Sequence, residues 1–174
     1  NAEKILSAVK RARSLTAKLL VSGKVQGDDK TVVDLNDLVA ETIGFFRPSL
    51  PPGINVVTGF YPGRISILAD PSELLRVFMN ITGNAALAMG NRGGTLSVET
   101  SISEKGDTGK DTGGPCGRMG VVIISDTGCG MDQVTLGKIF TPWFTSRADG
   151  SGKGLGLYVS GEIINSLGGT ISVS

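Results

Sequence analysis

The chain has almost no net charge, no long apolar run and very little cysteine. Its 17 Lys and Arg are balanced by 16 Asp and Glu, so it lacks the extended basic field that non-specific nucleic-acid binding needs, and no nucleic-acid partner is expected. The longest apolar stretches, such as Val121-Val122-Ile123-Ile124, fall far short of the ~20 residues that span a bilayer. No signal-peptide pattern opens the chain. A soluble piece without a membrane segment is expected. Cys116 and Cys129, the only cysteines, lie in a loop-like stretch and in a glycine turn. They are weak grounds for a disulfide framework and suit a reducing cytoplasm. Glycine is in excess, at 26 of 174 residues, roughly twice the average usage of about 7%. That length suits one domain with a short appendage and is enough to bury a core.

The first twenty residues place Ile5, Ala8, Ala12, Leu15 and Leu19 at spacings of three and four. This predicts a helix with a packing seam, laid on its own domain or against another helix. Residues 23–30 are polar and glycine-containing and read as a linker. Asp34 caps a predicted helix of about a dozen residues, with Leu35, Leu38, Val39, Thr42 and Phe46 as its stripe and Pro48 as its stop. The β-branched runs 54–58 and 64–68 flank Pro62-Gly63, a hairpin signal. Asp70 and Pro71 open a second helix that carries Leu74, Phe78, Ile81, Ala85 and Ala88 at helical spacing up to Met89. Strands at 95–102 and 119–125 flank a glycine-rich loop. A last helix over about 155–167 stops at Gly168-Gly169 and leads to a predicted strand at 170–173. This order predicts an α/β sandwich with helices on one face of a mixed sheet.

Four polar clusters interrupt these segments. Asn80 and Asn84 share a helix face, while the apolar repeat of that helix turns to the core. Taken alone, two helix amides are more often ordinary solvated or buried groups than ligands. Asp126-Thr127-Gly128-Cys129-Gly130 ends an apolar strand, and its two glycines let the backbone bend and approach a planar ligand. Alone it is more often a tight turn, and the further acidic ligands of an EF-hand are missing. Phe140, Trp143 and Phe144, which alone would be core, precede the small polar stretch Thr145-Ser146-Arg147-Ala148-Asp149-Gly150, which has the composition of a lid. Gly150-Ser151-Gly152-Lys153-Gly154-Leu155-Gly156 opens the last helix, where backbone N–H groups at the positive dipole end can take an anion. It is neither a P-loop nor a dinucleotide fingerprint, and a ligand-free glycine hinge is the alternative.

In this order the clusters resemble the N, G1, F and G2 boxes of the ATP-binding domain of sensor histidine kinases, within the GHKL family, over nearly the whole chain. The resemblance implies the Bergerat fold, a two-layer α/β sandwich with a mixed sheet, for residues 31–174, preceded by one long helix. Residues 1–22 look like the second helix of the family's dimerisation and phosphoacceptor hairpin, with 23–30 as linker. The implied activity is that of a protein-histidine kinase using ATP and Mg²⁺. Its implied partners are a second copy, joined through the hairpin, and the receiver domain of a response regulator.

By the same resemblance Asn84 is the metal ligand and Asn80 supports it. Asp126 specifies adenine, with Thr127, Gly128, Gly130 and Met131 around the base and Phe140 as an F-box candidate. Gly152, Lys153, Gly154, Leu155 and Gly156 hold the phosphates, with Arg147 and Lys153 as cations. The chain departs from the pattern at Lys153, where Thr is frequent, and at Trp143, where Phe is usual. Hydrolysing GHKL members carry Glu where this chain has Asn80, and an amide has no useful basicity for activating water. With no histidine in the chain, the phosphate acceptor is expected on the upstream helix or on a separate protein. A nucleotide-sensing interaction module and a GHKL ATPase are the competing readings.

Overall fold

In a computed structural model that describes residues 30–104, 117–146 and 154–174, the local chemistry of two aspartates starts the main helices. Strand β1 (Thr31–Asp34) passes directly into helix α1 (Leu35–Phe46), because Asp34 accepts a hydrogen bond from the Asn36 N–H at 3.0 Å. That bond satisfies one of the orphan donors of the first turn. Asp70 does the same for helix α2 (Pro71–Met89), accepting from the Ser72 N–H at 2.8 Å, and Pro71 occupies a first-turn position where its missing N–H costs nothing. The helix expected at 1–22 and most of the 23–30 linker lie outside the described residues.

Strand β2 (Ile54–Gly59) runs parallel to β4 (Gly94–Glu104), and β4 runs antiparallel to β5 (Arg118–Asp126), so this three-stranded sheet is mixed. Strand β3 (Ser66–Ala69) pairs instead with β1. The turn at Pro62-Gly63 therefore does not close a hairpin, contrary to its sequence signal. The Asn36 side-chain amide donates to the carbonyls of Tyr61 and Gly63, each at 2.9 Å, and the Tyr61 N–H donates to Thr100 Oγ1 at 2.9 Å. With its polar backbone held by α1 and β4, the turn carries the chain from one ladder to the other.

Period-two alternation puts Leu96 and Val98 of β4 inward, with Val122 and Ile124 of β5 beside them, against Leu38 and Val39 of α1 and Leu74, Val77, Phe78 and Met89 of α2. Complete burial of such side chains contributes about 1.5–3 kcal/mol each. Thr42 and Thr82 lie in this core because their hydroxyls donate back to the carbonyls of Leu38 and Phe78, each at 2.7 Å. A short helix α3 (Gln133–Leu136) follows the Asp126 turn, and helix α4 (Gly156–Ser166) packs on α2 with Ile163 in the core.

The α4 C-terminus closes as a Schellman motif. Gly168, at φ +74°, donates to Asn165, and Gly169 donates to Ile164 at 3.0 Å. The strand expected at 170–173 is not formed. Thr170 and Ile171 instead line a cleft against α4 with Gly161 and Phe140, and the segment joins neither ladder.

Candidate functional site

Helix α2 brings the clusters together. Asn80, on its half-buried face, donates its side-chain Nδ2 to the Gly156 carbonyl at 3.1 Å and to Ser160 Oγ at 3.3 Å. The two residues of the first pair are 76 positions apart, and the bonds fasten α2 to the first turn of α4. Asn84 follows one turn later on the same face and is also half-buried. Leu155, which precedes α4, has an apolar side chain and does not cap the first-turn amides at the positive end of this helix.

The turn after β5 is pinned at three points. The Gly128 N–H donates to Asp126 Oδ1 at 2.8 Å. Thr127 exchanges bonds with Thr95, its N–H donating to the Thr95 carbonyl at 3.2 Å and its Oγ1 accepting from the Thr95 N–H at 2.9 Å. The Cys129 N–H donates to the Ala88 carbonyl of α2 at 3.3 Å. Gly128 lies so close to α2 that a Cβ on it would be 2.6 Å from the Ala88 Cβ and 2.6 Å from Asp126 Oδ1. The glycine is required by close approach. Asp126 is left exposed at the strand end with Oδ2 uncommitted by these bonds, and Met131 beside the turn is 46% exposed.

The aromatic cluster and the second glycine cluster also touch. Gly154, at φ +65°, sits on the backbone of Trp143 and Phe144, and a Cβ there would come within 2.7 Å of the Phe144 nitrogen. Trp143 itself has φ +67° and is 72% exposed as a residue. Non-glycine residues rarely adopt that conformation, which costs about 1–2 kcal/mol. Ile139 anchors the segment in the interior.

The structure thus groups Asn80, Asp126, Thr127, Gly128, Gly154 and Gly156 through α2 and the start of α4. Phe140 is set apart from the Asn80 contacts. It packs toward Gly161 and, with Tyr158, Glu162 and Ile171, lines a cleft of about 370 Å³ on a different flank of α4. Arg147, Gly152 and Lys153 lie outside the described residues. Sequence reasoning missed Thr95, Ala88 and Ser160. Ser160 carried a faint signal, since it stands four residues after Gly156 and so faces the same way.

Hydrogen bonds from the Thr135 side chain and backbone hold the Asp132 carboxyl below the usual range, and this carboxylate caps α3. Among the described residues no group of three His, Cys, Asp or Glu side chains could hold a metal ion, and no helix is long and apolar enough to cross a membrane. Asn84, half-buried on α2, carries a neutral amide oxygen, a hard donor of the kind Mg²⁺ accepts.

Known proteins resemble this chain in sequence and in fold. The sensor histidine kinase ZraS of Klebsiella oxytoca is 34% identical over 140 residues, which is 80% of this chain and 27% of ZraS. The chain spans between 20% and 27% of the length of the first curated relatives it matches. The mycobacterial sensor histidine kinase MprB superposes with a TM-score of 0.60 at 19% identity, over 80% of each chain. Full-length ShkA, crystallised in complex with AMPPNP, superposes with a TM-score of 0.63 at 20% identity, over 93% of this chain and 32% of that one. These two likenesses establish the shared fold, an α/β sandwich with a mixed sheet. From the last residue of β3 through both glycine turns, residues 69–174 match the family described as histidine kinase-, DNA gyrase B-, and HSP90-like ATPase, and to that family the chain belongs.

Proposed function

We propose that residues 31–174 form the ATP-binding catalytic domain of a two-component protein-histidine kinase, with 1–22 as the second helix of its dimerisation hairpin and 23–30 as linker. The observation that carries this reading is the convergence of the sequence clusters on α2 and the start of α4, where Asn80 meets Gly156 and Ala88 meets Gly128 and Cys129. Family membership and the sensor histidine kinases among the relatives support it, as does a fold neighbour solved with AMPPNP.

In this reading Asp126 accepts the adenine amino hydrogen, and Thr127, Gly128, Gly130 and Met131 surround the base. The amides around Gly154, Leu155 and Gly156, with Gly152, Lys153 and Arg147, receive the phosphates. Asn84 would hold Mg²⁺, which when bound neutralises charge on the β- and γ-phosphates. Asn80 is no base: its nitrogen is engaged by α4 and its amide cannot deprotonate water. The protein therefore positions ATP for in-line transfer. The bond from the γ-phosphorus to the leaving ADP oxygen breaks as one to a histidine nitrogen forms, and the chain's contribution is orientation and charge complementarity. The chain contains no histidine, so the acceptor lies elsewhere. A response-regulator aspartate receives the group next, in a homodimer working in the cytoplasm.

Calorimetric titration tests the binding half of this reading. Mg²⁺-ATP should bind to the wild-type chain, and Asp126→Asn should weaken binding about 10- to 150-fold, the loss expected when a hydrogen bond to a charged group is replaced. An unchanged affinity would remove Asp126 from the site.

A further inference from the structure

Ser160 is fully buried, and a hydroxyl with no access to water must find its partners inside the protein. It donates to the Gly156 carbonyl at 2.9 Å and accepts from Asn80 Nδ2 at 3.3 Å, while the same nitrogen donates to the Gly156 carbonyl at 3.1 Å. A backbone carbonyl can only accept, and the serine proton is already given to it. The carbonyl contact therefore requires the amino end of the Asn80 side chain, and the hydroxyl accepts from that same end while its proton stays on the Gly156 carbonyl. Rotating the amide by half a turn would set Oδ1 against the Gly156 carbonyl with no proton between them, unless the Ser160 hydroxyl gave up its own bond to that carbonyl and turned to Oδ1. The approach is also close, since a Cβ on Gly156 would lie 3.4 Å from the Asn80 Cγ.

We propose that Ser160 is a positioning residue, which acts through Asn80. Its hydroxyl fixes the Asn80 amide in a single orientation, with both N–H groups committed to α4 and Oδ1 as the only remaining acceptor. The inference rests on the reading of this region as an Mg²⁺-ATP site. There the triangle of Asn80, Gly156 and Ser160 holds the helix that carries Asn84 in register with the helix whose first turn receives phosphate. A loosened triangle should harm binding of the phosphates and metal and spare binding of the base.

The test is calorimetry of Mg²⁺-ATP and of adenosine with the wild type, Ser160→Ala, Asn80→Ala and the double variant, together with NMR of the Asn80 side-chain amide. Ser160→Ala should weaken Mg²⁺-ATP binding about 3- to 10-fold, the range of one net hydrogen bond, and leave adenosine affinity within about twofold. In the Asn80→Ala background it should add no further loss. In the wild type without ligand the two Asn80 Nδ2 protons should be resolved and slow to exchange, and Ser160→Ala should shift them and speed their exchange. Parallel losses for both ligands, additive losses in the double variant, or unmoved Asn80 signals would overturn the proposal and leave Ser160 a packing residue. A wild-type chain that binds adenosine and Mg²⁺-ATP equally, or neither, would overturn the ATP-site reading instead, and the amide signals would still decide whether Ser160 orients Asn80.

Discussion

Replacing Gly128 by Ala tests the contact between the Asp126 turn and α2. The added methyl would sit 2.6 Å from the Ala88 Cβ and 2.8 Å from the Ala88 carbonyl carbon, roughly 1 Å inside the ~3.5–4.0 Å optimum for two carbons. Ala88 stands in the last turn of α2 and its carbonyl accepts from the Cys129 N–H at 3.3 Å, so the neighbour can retreat only by disturbing that turn and that bond. Overpacking of this kind costs about 1–3 kcal/mol, which for a domain of this size lowers the thermal midpoint by roughly 2–12 °C. The methyl would also lie 2.6 Å from Asp126 Oδ1, so the carboxylate must move and nucleotide affinity should fall with stability. Gly130→Ala is the control: a Cβ there meets nothing within 4 Å, and only the φ of +68° is strained, at about 1 kcal/mol. Thermal unfolding and ATP titration of both variants measure this. If Gly128→Ala is no less stable than Gly130→Ala, or binds ATP as the wild type does, the close approach is not part of the site.

Asn84→Ala should abolish the advantage of Mg²⁺-ATP over adenosine in calorimetry while leaving adenosine binding intact; equal loss with adenosine would mean that α2 itself had failed. Trp143, the only tryptophan, should show a saturable emission change with Mg²⁺-ATP that is smaller with adenosine. Trp143→Gly should not lower the thermal midpoint, since the residue is 72% exposed and the substitution relieves a φ of +67°; a clear fall would mean the ring is packed. Burial works to raise the Asp34 pKa but is outweighed by the bond from Arg64 and those from backbone N–H groups, which together lower it. A depressed carboxylate contributes stability above its unfolded pKa of about 3.9 and loses it as pH falls through the lower folded value. Denaturant titrations should therefore show stability falling below pH ~4 in the wild type and falling less in Asp34→Asn.

Elements whose ends are set by local chemistry were legible in the sequence. Asp34, Asp70 with Pro71, and Gly168 mark helix boundaries through bonds to residues two or three positions away, so the sequence that makes them is contiguous. Pairing was less legible. Pro62-Gly63 does turn the chain, but which strands then pair depends on Asn36 and Thr100, both distant in sequence. Of the site, the motif residues on α2, β5 and α4 could be named in advance, and their joints could not. The Asn80 to Gly156 bond and the approach of Gly128 to Ala88 exist only once the helices have packed. Ser160, read alone, is an unremarkable polar residue in an apolar helix.

In the proposed function this chain holds Mg²⁺-ATP for transfer to a histidine outside it. The most direct measurement follows γ-labelled ATP with the chain alone and with a protein that bears the phosphoacceptor helix. Alone, the chain should bind the nucleotide, acquire no acid-labile label and release phosphate no faster than buffer. With the acceptor present, label should appear on histidine and vanish in Asn84→Ala. Steady phosphate release by the chain alone that Asn84→Ala abolishes would make it an ATPase, and nucleotide binding with no transfer to any histidine acceptor would make it a sensing module. Either result contradicts the account.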